Sequence, residues 1–69
     1  MTFRVIVTYK PHEQAPVMTK EVTGVEKVER TWERIGEGNV EVLRVYQRFH
    51  NWFTWGIGGI ISISMIPEK

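Results

Sequence analysis

From Thr2 to Tyr9 the chain alternates, with Phe3, Val5, Val7 and Tyr9 on one side of an extended backbone and Thr2, Arg4, Ile6 and Thr8 on the other. A period of two is the mark of a β-strand, and residues 2–9 are read as the first strand. Pro11 and Pro16 bracket His12-Glu13-Gln14-Ala15 and mark a loop. Residues 39–49 alternate most clearly, with Leu43, Val45 and Phe49 on one face and Arg44, Tyr46, Arg48 and His50 on the other. His50-Asn51 reads as a turn and Trp52-Phe53-Thr54-Trp55 as a short extended piece. The glycines of Gly56-Ile57-Gly58-Gly59 bend the chain or let another backbone come close. Residues 60–66 form a last strand, with Ile61, Ile63 and Met65 on one face and Ile60, Ser62, Ser64 and Ile66 on the other. Both sides are largely apolar, which places that strand centrally in a sheet or at an oligomer interface.

One segment supports two readings. Val22, Val25, Val28, Trp32 and Ile35 are spaced three or four apart, as on a helical face. Thr23 with Glu26 fits a capping box, and Gly36 fits a C-terminal cap. Against the helix stand a glycine in its first turn and a β-branched content that favours extended chain. A hairpin across Gly36-Glu37-Gly38-Asn39 sets Ile35 opposite Val40, Arg34 opposite Glu41 and Trp32 opposite Leu43, all favourable pairs. The same register sets Lys27 against Arg48, an unfavourable one. The hairpin is preferred. The fold expected is all-β, an antiparallel meander of four to five strands forming a small barrel-like or half-open sheet. The alternative is α+β, a βαββ arrangement with residues 24–35 helical.

Length turns this pattern into an energetic problem. Sixty-nine residues hold one domain and one modest core, and chains this short commonly need a staple. Cysteine is absent, which removes disulfides and thiolate zinc sites, so self-association is the staple expected. Hydrophobic residues at 42% and charged residues at 25% exclude a disordered chain. The net charge of +1 gives no field that would draw nucleic acid or a membrane surface. The stretch from Trp52 to Ile66 is too short for a spanning helix and is interrupted by glycines and serines. Met1 to Lys10 contains Arg4 and no cleavage-like site, so a cytoplasmic protein without membrane association is expected.

Candidate chemistry is sparse. The chain contains no Asp and no Cys, which rules out Ser-His-Asp and Cys-His nucleophiles. Ser62 and Ser64 lack the glycine pattern of a nucleophile elbow. His12 and His50 have no ligand spacing between them, so no metal is expected. Gly56, Gly58 and Gly59 lack the Lys-Ser/Thr of a phosphate loop and are followed by a strand instead of a helix. Neither a catalytic site nor a cofactor is expected.

One surface has character: Arg44, Tyr46, Arg48 and His50, extended by Trp52 and Trp55. Arginines among aromatics can stack on bases and reach phosphates, and the same residue types are enriched at protein interfaces. The plain alternative is an aromatic core covered by arginine stems.

The runs Val25-Glu26-Lys27-Val28-Glu29-Arg30, Val40-Glu41-Val42-Leu43-Arg44-Val45-Tyr46 and Ile61-Ser62-Ile63-Ser64-Met65-Ile66-Pro67-Glu68 resemble those of many small phage and prophage all-β proteins. The resemblance covers residues 22–68 and implies a non-enzymatic accessory protein that binds a host or defence component. It carries over no site residue. The expected function is a small self-associating binding protein that inhibits or modulates such a partner. The alternative is a β domain that binds a nucleotide or single-stranded nucleic acid.

Overall fold

The computed structural model describes residues 1–68 and contains five strands. They are β1 (Phe3–Tyr9), β2 (Met18–Ile35), β3 (Gly38–Gln47), β4 (Trp52–Gly56) and β5 (Ile60–Pro67), with a single 3₁₀ turn, Ile57–Gly59, before β5. All pairings are antiparallel in one sheet of order β4-β3-β2-β1-β5. The all-β, half-open sheet is the architecture the alternation predicts. No α-helix occurs among the described residues, and residues 24–35 lie within β2.

The helix-like spacing of the valines has a structural cause. From Val5 to Phe3 the chain takes two steps on β1, while its partner takes three on β2, from Val22 to Val25. The extra residue is accommodated where Gly24 adopts φ +65°, a conformation that costs glycine little. A second irregularity follows, because Val25 pairs with Gln47 and Lys27 with Tyr46. Each extra residue reverses the alternation once. Val22, Val25 and Val28 therefore all turn to one face at intervals of three.

That face is the core. Val5, Val7, Val22, Val25, Leu43 and Val45 are buried together, with Phe3, Tyr9, Val28, Phe53, Trp55, Ile57 and Ile60 packed against them. Removing each valine from water is worth about 1.5–3 kcal/mol. The sheet covers this cluster by curling. Trp55 of β4 and Tyr9 of β1 lie three strand spacings apart along the sheet, roughly 14 Å if it were flat, yet their ring centroids are 5.9 Å apart. Lys20 of β2 likewise reaches the Phe53 ring, at 5.3 Å. The Lys10 N–H donates to the Gly59 carbonyl at 2.8 Å, and a side chain at Gly59 would stand 2.7 Å from the Lys10 oxygen. This is the close backbone approach anticipated for the glycine run.

Three expectations need correction. The β2–β3 register is displaced by two residues: Ile35 pairs with Gly38, Trp32 with Glu41 and Arg30 with Leu43. The loop is Gly36-Glu37, with Gly36 at φ +60° as a tight two-residue hairpin turn requires. A shift of two preserves which face each residue occupies, and it replaces the Lys27–Arg48 clash with Lys27 opposite Tyr46. Second, β3 ends at Gln47, so Phe49 leaves the face of Leu43 and Val45. Third, of the two places expected for β5 the central one is excluded, because β5 is an edge strand bonded to β1 on one side only.

Candidate functional site

The outer face of the sheet, opposite the core, holds the chemistry. Pairing places Lys27 beside Tyr46 and Tyr46 beside Trp52 in one row, with Glu29 beside Arg44 and Arg44 beside Thr54 in the next. The side chains close the gaps. Tyr46 donates its hydroxyl to Glu29 Oε2 at 2.9 Å, and Lys27 Nζ lies 3.5 Å from Glu29 Oε1. Lys27 Nζ stands 5.6 Å from the Tyr46 ring centroid, and Arg44 Cζ stands 6.0 Å from that of Trp52. The Tyr46 and Trp52 rings are 6.3 Å apart and tilted. These are favourable cation–π and edge-to-face arrangements.

The electrostatics follow from the contacts. The Tyr46 hydrogen bond, aided by Lys27 and more distantly by Arg44, holds the Glu29 carboxyl below its ordinary value, against a smaller opposing effect of burial. Tyr46 also raises Arg44 above its ordinary value, with Glu33 and Glu29 adding attraction. Both groups therefore stay charged at neutral pH. Arg44 Nε is covered and lacks a hydrogen-bond partner among the described residues.

The β3–β4 turn completes the site. The Gln47 N–H donates to the Asn51 carbonyl at 2.8 Å, closing the loop Arg48-Phe49-His50. The Gln47 side chain ties the base of that loop to the Thr23 carbonyl in β2, at 2.7 Å. Phe49 and His50 have φ of +64° and +62°, a region where a side chain clashes with its own backbone. Each such residue costs on the order of 1–3 kcal/mol. Phe49 recovers none of this by burial, being 89% exposed. With His50, Tyr46, Gln47, Glu26 and Lys27 it lines a shallow cleft.

Of the residues expected at the site, Arg44, Tyr46 and Trp52 come together on the outer face, and Trp52 is 54% exposed. Arg48 and His50 belong to the adjoining loop instead of the strand, because alternation ends where the backbone turns left-handed. Trp55 lies on the inner face, half-buried against Tyr9 and Phe53. Its separation of three from Trp52 already implies opposite faces in a regular strand. Lys27, Glu29 and Phe49 went unrecognised. The first two needed the correct hairpin register, and Phe49 needed the strand end.

Among the described residues, no three His, Cys, Asp or Glu side chains gather as a metal site, and no helix is long and apolar enough to cross a membrane. Comparison with known protein families, characterised proteins and solved structures finds no match.

Proposed function

We propose that this chain is a small non-enzymatic binding protein that docks a partner protein on the outer face of β3 and β4 and on the Arg48–His50 loop. One observation carries the reading. Phe49 is held in strained backbone with its ring in water, a cost with no return inside the molecule. Tyr46 lines the same cleft, and it, Trp52 and Arg44 on the outer face are of the types that supply most binding energy when an interface closes over them. The form of this reading closest to the phage-like pattern is an accessory protein that inhibits or modulates a host or defence protein.

Arg44 over Trp52 would also suit a base or nucleotide. The charge balance argues otherwise. Lys27, Arg44 and Arg48 are matched in number by Glu26, Glu29 and Glu33 across β2, β3 and the adjoining loop, and Glu29 is held ionised. A phosphate backbone needs a surplus of positive charge, whereas a mixed, aromatic surface suits a polypeptide.

The test uses the chain and its Phe49→Ala and Trp52→Ala variants as bait in lysate of the source cell. Proteins retained by the parent and lost by both variants support the reading. A parent that retains nothing, but whose tryptophan fluorescence responds to oligonucleotides in a salt-dependent way, replaces it with the nucleic-acid alternative.

A further inference from the structure

We propose that β5 is a pairing edge for a second copy of this chain, joining two sheets antiparallel across a two-fold axis at Ile63. β5 is bonded only to β1, so its other side offers backbone N–H and C=O groups along an eight-residue strand. Such an edge is a template for another strand, and proteins that keep one free blunt it with charge, brevity or bulges. Residues 60–67 include no charged residue, and seven of the eight are exposed. The one irregularity lies at the start of the strand, where Tyr9 pairs with Ile60 and Thr8 with Ser62. From Ser62 onward the edge is regular. The opposite edge, β4, is only five residues long.

The strand is complementary to itself. Antiparallel pairing centred on Ile63 sets Ile63 against its own copy, Ile61 against Met65 and Ser62 against Ser64. Apolar side chains then meet apolar ones, hydroxyl meets hydroxyl, and no like charges face each other. A slip of one residue would set Ile63 against a serine, Ser64 or Ser62 according to its direction, with a second apolar–serine pair beside it, Ser62 with Met65 or Ile61 with Ser64. The two-fold repeats each contact, as a closed homodimer requires.

Area points the same way. Four apolar side chains of β5 stand open to solvent, with Ile61 56%, Ile63 39%, Met65 47% and Ile66 38% exposed. Pairing two copies takes part of this apolar surface out of water, which is favourable by about 25 cal/mol per Å² removed. The inner side adds to this, where Arg30, Leu43, Ile57, Ile60 and Ile63 line an apolar groove. Trp32, two residues from Arg30 on the same face of β2, stands 64% exposed beyond it. This surface is separate from the aromatic face of β3 and β4, so either proposal can fail alone.

Sedimentation at micromolar concentration is expected to show a dimer, weakened at least tenfold by Ile61→Lys with the β circular dichroism unchanged. Register is read by cross-linking, since the chain has no cysteine of its own. Residues directly opposite have Cα atoms about 4.5–5.5 Å apart, within disulfide reach. Ile63→Cys is therefore expected to oxidise to a covalent dimer much faster than Ile66→Cys. A monomer at 100 μM overturns the proposal, as does a dimer that survives Ile61→Lys or cross-links equally at both positions.

Discussion

Two hairpin turns of this protein meet the same backbone demand with different residues. The β2–β3 turn needs one left-handed position and fills it with Gly36, which has no Cβ to clash. The β3–β4 turn needs two and fills them with Phe49 and His50. Both turns lie at the surface, so burial does not explain the difference. The first turn is built for the fold alone. The second spends stability to hold an aromatic ring and an imidazole beside Tyr46, and this is why the proposed binding surface is placed there.

The largest effect expected concerns the partner. Phe49→Ala or Trp52→Ala should weaken its binding by about 2 kcal/mol or more, roughly thirtyfold, as truncation of an interface anchor does. Titration calorimetry with the captured protein would measure it, and an unchanged affinity would remove the functional meaning of the strained turn. Gly36→Val should destabilise the fold by about 2 kcal/mol. Nothing lies within 4 Å of the added Cβ, so a denaturant midpoint reads chiefly the backbone cost set against the reduced entropy of the unfolded chain.

Phe49→Gly should act in the opposite direction, stabilising by about 1 kcal/mol once strain relief is set against the chain entropy of glycine. The same variant should bind its partner more weakly. A protein made more stable and less able to bind would separate the two turns cleanly; a destabilised one would show that the Phe49 ring supports the fold.

The smallest effect is electrostatic. Glu29 has a lowered folded value, so its stabilising contribution is present above the ordinary carboxylate value of 4.5 and disappears as pH falls through the lowered one. Tyr46→Phe removes the chief cause. The Glu29 titration followed by NMR should then move upward, and the stability lost as pH falls below 4.5 should become smaller and be complete at a higher pH, its onset still set by the unfolded carboxylate.

Much of the sheet was legible from local pattern. The alternation of residues 2–9, 39–49 and 60–66 matches β1, β3 and β5 to within two residues at each end. β2 was harder because its bulges imitate helical spacing, and its first part, Met18–Glu21, offered no apolar alternation to notice. The site was half legible. Arg44, Tyr46 and Trp52 follow from alternation within strands, whereas the same alternation puts Phe49 on the core face because nothing local marks Gln47 as the end of β3. An apolar residue at a strand terminus looks the same in sequence whether it turns inward or outward.

The sequence by itself determined that β1, β3 and β5 are strands and which residues share a face within β1 and β3, because a strand's period of two is a local property. Only the tertiary structure decided the register of the long hairpin, since a shift of two leaves every face unchanged and is chosen by the turn and the bulges together. It also decided the curl that brings Tyr9 to Trp55, and the edge position of β5, whose apolar faces suit a central strand as well as an exposed one. Strand order depends on which edges meet in space. No local period encodes that.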